Sequence, residues 1–200
     1  MKTLLLATAI ASPLLALSTA ATAEIYKFDP GHTEIRFTYN HAGLSDQNGQ
    51  WKIIDGEVDF DANDIAATKV SVTVDAASID TGVGPLDEHL KSGDFFDVEN
   101  FPTITFTSTG VEQTSDDSVT LVGDLTIKEI TKPITMSFKL NHQGAHPLGD
   151  FFDYYKGDWI GVQGTGEMLR SDFGVGMFAP VTSDEVTLSI SAEMRAGGWE

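Results

Sequence analysis

The chain has 200 residues, of which 41% are hydrophobic, and its 30 acidic residues outnumber its 12 Lys and Arg residues to give a net charge of −18. Negative charge of this size repels phosphate backbones and anionic lipid head groups, which disfavours nucleic-acid binding and peripheral membrane docking. No cysteine is present, so thiol catalysis, thiolate zinc sites and iron–sulfur clusters are excluded.

The first 23 residues are typical of a secretory signal peptide. Lys2 supplies a positive charge, an apolar segment runs from residue 4 to residue 17, and Ala21-Thr22-Ala23 offers the small residues of a cleavage site. A retained membrane anchor is the alternative, but the apolar segment is interrupted at Ser12-Pro13 and is short for a span of about 20 residues. We therefore expect a cleaved signal peptide at 1–23, one domain at 24–200, and export to the bacterial periplasm.

Apolar residues alternate with polar residues along the rest of the chain. The alternating rows fall around residues 35–39, 58–60, 70–74, 104–106, 119–127, 134–140, 160–168 and 186–194. Turn-forming residues between rows are Asn48-Gly49, Asp55-Gly56, Ser115-Asp116-Asp117 and Ser183-Asp184. Alternation of this kind is typical of antiparallel strands with one apolar face. Eight such rows predict an all-β, eight-stranded antiparallel domain, and closure into a barrel removes its exposed edges.

Two segments depart from this alternation. Pro85 to Lys91, followed by Gly93, has early acidic residues and a late lysine, which predicts one short helix near residues 85–93. Phe95 and Phe96 follow it and are expected to plug or flank one mouth of the barrel. The segment from residue 141 to residue 158 is rich in glycine and aromatic residues, which indicates a lid or a binding loop. We expect it to gate a mouth of the barrel, with the Pro85–Phe96 segment as the alternative gate.

Four ordered motifs carry a resemblance to a known family. They are Tyr26–Thr33, Asp87–Val98 followed by Phe101–Phe106, Gly123–Ile127 with Thr131–Ile134, and Arg170–Gly174. In these the chain resembles the YceI-like family over nearly its whole length after residue 23. The resemblance implies a lipocalin-like barrel with a long apolar pore that binds polyisoprenoids, including quinone-like or prenyl-phosphate lipids. One departure is Lys128-Glu129-Ile130, which stands where the family usually has a glycine and leaves the conformation of that turn open.

The candidate ligand contacts are residues expected to face the pore or its mouths. They are Ile35, Phe37, Tyr39, His41, Phe60, Val72, Phe96, Phe106, Leu125, Phe138, Met168, Arg170 and Phe173. An eight-stranded barrel is either filled by its own side chains or holds one ligand. The strand glycines Gly123, Gly164 and Gly166 favour a ligand, because glycine in a strand often marks close approach by another group.

Several polar residues have two interpretations. Arg170 is expected to form an ion pair with Asp172 that fixes a strand end, and the alternative is a clamp for a lipid head group. His41 is expected to be a core histidine, with contact to a quinone oxygen or phosphate as the alternative. His89, Asp94 and Asp97 could support acid–base catalysis, but a structural role for His89 on the short helix is favoured.

No metal site, cofactor or catalytic residue is predicted. His142 and His146 are four residues apart, but Gly144 and Pro147 prevent the helix that would align them. The sequence therefore predicts a non-enzymatic protein that binds, transports or stores an isoprenoid lipid, with no nucleic-acid partner and no stable membrane insertion. One alternative is a binder of another amphiphile such as a fatty acid or fatty amide, and another is a hydrolase or isomerase using carboxylates around His89. The oligomeric state stays open, a homodimer included.

Overall fold

The computed structural model describes residues 23–199, so most of the predicted signal peptide lies outside the described residues. Within these residues, nine strands and one α-helix form the domain. They are β1 (Glu24–Phe28), β2 (Glu34–His41), β3 (Ser45–Phe60), β4 (Lys69–Asp80), α1 (Gly84–Lys91), β5 (Thr103–Ser115), β6 (Ser118–Ile127), β7 (Ile130–Ala145), β8 (Asp158–Leu169) and β9 (Glu185–Ala196). Three short 3₁₀ turns lie at Ile65–Ala67, Asp153–Tyr155 and Arg170–Phe173.

The strands close into an antiparallel barrel with eight positions around its wall, as predicted. Neighbouring strands follow the order β1-β3-β2-β9-β8-β7-β6-β5-β4, and pairing of β3 with β4 closes the ring. The ninth strand adds no position, because β1 and β2 both lie between β3 and β9. They form one interrupted wall strand, and the interruption contains Pro30, which has no N–H to donate to a ladder.

The barrel has two distinct ends. The helix end carries the β2–β3 turn, α1 and residues 170–184, and the hairpin end carries the β5–β6 turn and residues 61–68. Helix α1 begins one residue before the predicted Pro85, and the Asp87 carboxylate accepts hydrogen bonds from the N–H and Oγ1 of Thr81 at 2.8 and 2.6 Å. Phe95 and Phe96 follow the helix and are buried, so this segment covers the helix end. Among residues 23–199, no helix is long and apolar enough to cross a membrane.

Strand β3 corrects two of the predicted turns. Asn48-Gly49 and Asp55-Gly56 lie inside this 16-residue strand, and the turn that precedes it lies at Ala42 and Gly43, both of which have positive φ. Gly49 pairs with Phe37, whose ring occupies the space that a Gly49 side chain would need. In β3, Gly49 therefore marks a place where an aromatic ring packs on the backbone. The sequence of β3 does not distinguish such a contact from a turn.

The barrel is also taller than predicted. The alternating rows suggested strands of about eight residues and a height of roughly 20 Å. Strands β4, β8 and β9 have 12 residues each, which at a tilt of about 40° gives a height of roughly 30 Å. The difference arises because polar strand ends, such as residues 141–145 of β7, continue the ladder beyond the apolar rows.

Lys128 occupies the turn where the resemblance left the conformation open. Its φ is +58°, in the left-handed region where a side chain costs about 1–2 kcal/mol. We expect Lys128→Gly to raise the free energy of unfolding by about 0.5–1 kcal/mol, since glycine relieves this strain but loses chain entropy. Urea unfolding measures the change. Glu129→Gly is the control and should give no gain, and a destabilising Lys128→Gly would contradict the assigned turn.

Candidate functional site

The barrel encloses a long apolar cavity, here called the central cavity, with a volume of about 230 Å³. Every strand of the barrel wall contributes apolar side chains to it. Its lining includes Phe28, Ile35, Trp51, Val58, Phe60, Val72, Phe106, Leu125, Met136, Phe138, Ile160, Met168, Leu188 and Met194. It runs to the hairpin end, where Asp116, Asp117 and Ser118 border it. An apolar cavity of 150 Å³ is already able to stay dry and bind a small hydrocarbon.

A second cavity of about 230 Å³, the helix-end cavity, lies beneath α1. Its walls combine apolar and polar side chains. They include Phe37, Tyr39, His41, Trp51, Leu90, Phe96, Met168, Arg170, Phe178 and Thr182. Trp51 and Met168 line both cavities, so these two side chains lie between them. The Trp51 ring packs against Phe37 and Phe96, with centroid distances of 4.5 and 5.5 Å.

Glycines opposite aromatic residues keep the lumen open. The Phe138 ring lies over Gly164 and the Phe106 ring over Gly123, each so close that an added Cβ would lie 2.3 Å from a ring atom. The side chain of Met136 covers Gly166 in the same way. The three strand glycines were interpreted as a sign of an approaching ligand. The space above each of them is instead occupied by a side chain of the protein itself. Because the rings lie flat on the wall, they leave the centre of the barrel empty.

The structure divides the candidate contacts between the two cavities. Those along the central cavity are Ile35, Phe60, Val72, Phe106, Leu125, Phe138 and Met168. Those along the helix-end cavity are Phe37, Tyr39, His41, Phe96, Arg170 and again Met168. Phe173 lines neither cavity and is a fully buried residue of the main hydrophobic core, in the 3₁₀ turn that follows β8.

Trp51 was missed by the sequence analysis. The false turns at Asn48-Gly49 and Asp55-Gly56 hid its place in an alternating row with Ile53, which was the available signal. Its indole N–H is buried and has no acceptor among residues 23–199. An unmade hydrogen bond of this kind costs about 1–3 kcal/mol.

Arg170 does not form the expected ion pair with Asp172. Its guanidinium donates to the backbone carbonyls of Ser183, Thr182, Val175 and Met177 at 2.9 to 3.3 Å. Arg170 therefore fixes the 174–184 segment through uncharged backbone carbonyls. The charges of the side chains in the sequence do not indicate these partners. Burial lowers the pKa of Arg170, and the negative charge of Asp184 opposes this shift.

His89 lies outside both cavities. Its Nε2 is 3.1 Å from Asp94 Oδ2, and both side chains are well exposed. Asp97, the other carboxylate of the proposed catalytic group, accepts hydrogen bonds from Asn100 instead. The groups are therefore not assembled around an enclosed space in which a substrate would be held.

A polar network on the outer wall was also missed, although Asp29 and His32 belong to the first family motif. Asp29 is fully buried and accepts hydrogen bonds from Gly31 N–H, Tyr154 O–H and His32 Nδ1 at 2.7 to 2.8 Å. Burial tends to raise the pKa of Asp29, but these hydrogen bonds outweigh it and lower the pKa below 3.8. The hydrogen bond to Asp29 raises the pKa of His32 above 6.5. Burial and the bond to Asp29 raise the pKa of Tyr154 to about 12.

The same network brings potential metal ligands together. Ligand atoms of Asp29, His32 and Glu193 lie within 4.8 Å of one another. His32 Nδ1 is already in a short hydrogen bond to Asp29. The Nδ1 of His146 accepts the N–H of Leu148, which puts the proton on the Nε2 atom that faces Glu193. We therefore interpret the cluster as a hydrogen-bond network.

This network attaches the aromatic segment 146–157 to the outside of the barrel. Trp159 points outward, because its neighbour Ile160 lines the central cavity, and His146 and Tyr155 pack on its ring. Trp159 Nε1 donates to the Tyr155 carbonyl at 3.1 Å. None of residues 141–158 lines either cavity, so the expectation of a lid over a mouth is not supported.

The Asp29–His32 pair predicts a pH-dependent stability. A protonated His32 contributes stability that is complete below pH 6.5 and is lost as pH rises through its raised folded-state pKa. His32→Gln should therefore lower the free energy of unfolding more at pH 6 than at pH 9, by up to about 1 kcal/mol because the imidazole is half exposed. Urea midpoints at the two pH values test this, and equal losses would contradict it.

The chain matches a known protein family and is similar to proteins of known sequence. The model of the YceI-like domain matches residues 26–194. Protein YceI of Escherichia coli O17:K52:H18 is 37% identical over 195 residues, covering 96% of this chain and 97% of that protein. A Pseudomonas aeruginosa protein named UPF0312 protein is also 37% identical over 195 residues, with the same coverage of both chains.

Solved structures share the fold. The Campylobacter jejuni YceI protein has a TM-score of 0.66 and 28% identity, covering 77% of this chain and 87% of its own. Burkholderia cenocepacia BcnA has a TM-score of 0.72 and 22% identity, covering 83% and 98%. A polyisoprenoid-binding domain from Saccharophagus degradans, implicated in plant cell wall breakdown, has a TM-score of 0.62 and 12% identity, covering 88% and 99%. The likeness to the last two shows the fold alone.

Proposed function

This chain belongs to the YceI-like domain family, and from that membership we propose that it binds a long-chain isoprenoid lipid, polyprenyl or quinone-like, inside the barrel. The observation that carries the proposal is the apolar central cavity, which shares the wall residues Trp51 and Met168 with the helix-end cavity. The polyisoprenoid-binding domain of Saccharophagus degradans supports the same ligand class, because its barrel has the same fold.

The free energy of burial makes retention depend on the length of the bound tail. Each methylene transferred from water into an apolar cavity contributes about 0.8 kcal/mol. A dozen buried methylenes contribute roughly 10 kcal/mol, which is comparable to the 4–15 kcal/mol cost of association and ordering. Affinity should therefore grow with the length of the buried tail until the lumen is full.

We propose retention without turnover. Most of the central-cavity wall is aliphatic or aromatic, as at Leu125, Met136 and Leu188, and its carboxylates, Asp116 and Asp117, lie at the hairpin end. The His89–Asp94 pair is exposed and lies outside both cavities. These observations disfavour the hydrolase or isomerase alternative and support a role in transport or storage.

We further propose that the protein works in the periplasm after cleavage following Ala23. The positive residue, apolar segment and Ala21-Thr22-Ala23 site of the sequence support this. N-terminal sequencing of protein from a periplasmic extract should begin at Glu24. Protein that keeps residues 1–23 and stays with the membrane fraction would contradict this location.

Titration of lipid-free protein with prenyl alcohols of increasing length tests the function. We expect one ligand per chain and an affinity that rises at least tenfold from geraniol to geranylgeraniol, with a negative heat-capacity change on binding. Fatty acids and fatty amides of equal carbon number serve as the comparison. A preference for them would select the other amphiphile class, and affinity independent of length would contradict binding in the lumen.

A further inference from the structure

Exposed apolar side chains project from the loops at the helix end of the barrel. Leu44 lies in the β2–β3 turn, Val83 directly precedes α1, and Phe178 and Val181 lie in the 174–184 segment. Each of the four is more than half exposed, and Leu44 reaches 82%. These four residues are here called the apolar rim. Exposed apolar residues that are gathered in one place mark a protein or membrane contact, whereas scattered ones do not.

Contacts between the loops hold the apolar rim together. His41 pairs with Thr182 in an isolated bridge, which brings the β2–β3 turn next to Val181. The ring centroid of Phe178 lies 6.3 Å from that of His89 in α1. The apolar rim is therefore a connected surface at one end of the barrel.

The apolar rim also borders an opening of the lumen. His41 and Phe178 are exposed, yet both line the helix-end cavity, which therefore reaches the surface between the β2–β3 turn and the 174–184 segment. The hairpin end differs, because the exposed Asp116 and Asp117 border the central cavity there. Residues 61–68 and 111–119 at that end expose no large apolar side chain. An apolar surface thus accompanies one mouth of the lumen and carboxylates accompany the other.

The charges around the apolar rim restrict what can cover it. Residues 81–102 contain five acidic residues against Lys91, and residues 170–184 contain two against Arg170, whose guanidinium is held by backbone carbonyls. These charges and the net charge of −18 repel a second copy of the chain and an anionic lipid surface alike. A stable interface between two proteins also needs about 20–30 residues on each side, whereas the apolar rim has four.

A lipid surface without net charge meets both restrictions. Apolar side chains bind the interfacial region of a bilayer in proportion to the apolar area that they bury there, so a few exposed side chains are enough for weak, reversible binding. Zwitterionic head groups do not repel the acidic loops as anionic head groups do. An isoprenoid with a dozen methylenes also partitions into lipid rather than water, so a protein that binds one must collect it from such a surface.

We propose that the apolar rim docks reversibly on a zwitterionic lipid bilayer, with Leu44, Phe178 and Val181 entering the head-group region and the helix-end mouth facing the lipid. The inference rests on the proposed function for its purpose, which is to supply the lumen with ligand. The docking itself needs no ligand, because Leu44, Val83 and Val181 line neither cavity.

Vesicle flotation tests the docking without any isoprenoid. Lipid-free wild-type protein should float with phosphatidylcholine vesicles. Phosphatidylglycerol at about 30% of the lipid should weaken this binding at least about threefold at low salt, and roughly 0.5 M salt should restore part of it because salt screens the repulsion. Protein that does not float with phosphatidylcholine would overturn the inference and leave the proposed function intact. Protein that floats but binds no isoprenoid would support the docking and overturn the proposed function.

Serine variants assign the docking to the apolar rim. Leu44→Ser combined with Val181→Ser should reduce vesicle binding at least about tenfold, since two exposed aliphatic side chains no longer enter the bilayer. The affinity for geranylgeraniol in solution should stay at the wild-type value, because neither residue lines a cavity. Phe151→Ser is the matched control, since Phe151 is 75% exposed but lies in the outer-wall segment 146–157. Vesicle binding that is lost in Phe151→Ser and kept in the double variant would overturn the inference.

Tryptophan variants locate the docked face. Brominated phosphatidylcholine quenches an indole that lies within the bilayer, so Leu44→Trp should lose more fluorescence on these vesicles than the wild type does. Phe151→Trp should be quenched no more than the wild type. The reverse result would place the outer-wall segment on the bilayer and overturn the proposal.

Two further measurements decide the occupant and its purpose. Sedimentation velocity should show the same mass for the wild type and Leu44→Ser, and a dimer that Leu44→Ser dissociates would assign the apolar rim to a second copy and overturn the proposal. Uptake of a fluorescent prenyl probe from phosphatidylcholine vesicles should be at least about fivefold slower in the Leu44→Ser and Val181→Ser double variant than in the wild type. Equal uptake rates would overturn the role of the docking in ligand supply.

Discussion

Gly164→Ala is expected to lower the free energy of unfolding by about 1–3 kcal/mol, the usual cost of overpacking a core, and to reduce lipid retention. The added methyl group would lie 2.3 Å from atoms of the Phe138 ring. The ring cannot stay flat on the wall, so it must turn into the central cavity that it lines. Urea unfolding measures the first effect, and titration with geranylgeraniol measures the second.

Gly110→Ala is the matched control for this variant. Gly110 lies in β5, and an added methyl group there meets no atom within 4 Å. It should be neutral or slightly stabilising, because alanine loses less chain entropy than glycine. Phe138→Leu combined with Gly164→Ala should recover part of the lost stability. Equal stability of the two alanine variants would show that the ring contact does not shape the lumen.

Met136→Asp is expected to abolish lipid binding and to cost at least about 4 kcal/mol of stability. Loss of a buried methionine alone costs about 2–5 kcal/mol, and an unpaired buried carboxylate adds to it. Met136 is 7% exposed and lines the central cavity. Because whole domains have only about 5–15 kcal/mol of stability, this variant should be largely unfolded at moderate temperature.

The neighbouring Ser137→Asp places the same charge on the outside of the wall. Ser137 is exposed and pairs with Thr120 and Thr165, which are neutral. Its stability should change by no more than about 0.5 kcal/mol, as for most surface substitutions. Circular dichroism melts and lipid titration on both variants measure the contrast. If Met136→Asp folds and binds like Ser137→Asp, the inward face of β7 has been assigned wrongly.

Alternation of apolar residues was enough to predict the barrel wall. A strand's side chains alternate between its faces, so rows such as Ile134 to Leu140 specify both the strand and its inward face. The short helix was also predictable, since Pro85 and the charges of α1 are local signals. Features that depend on a residue and its neighbours along the chain could thus be predicted from the sequence.

Contacts between residues on different strands could not be predicted in this way. Glycine has the same preference for turns whether or not a Phe37 ring lies over it, so Gly49 was interpreted as a turn and Trp51 was overlooked. Arg170 binds carbonyls of a segment whose path follows from tertiary packing. The division of the lumen at Trp51 and Met168 likewise depends on side chains from β3 and β8, which meet only in the closed barrel.

Mass spectrometry of the lipid extracted from freshly purified protein tests lipid binding in the lumen most directly. Wild-type protein from the periplasmic fraction of an isoprenoid-producing bacterium should carry close to one lipid per chain, with the fragment ions of a prenyl tail. Gly164→Ala should carry less, and Gly110→Ala should carry the wild-type amount. Wild-type protein that carries no lipid, or acyl lipids alone, would contradict the proposed isoprenoid-binding function.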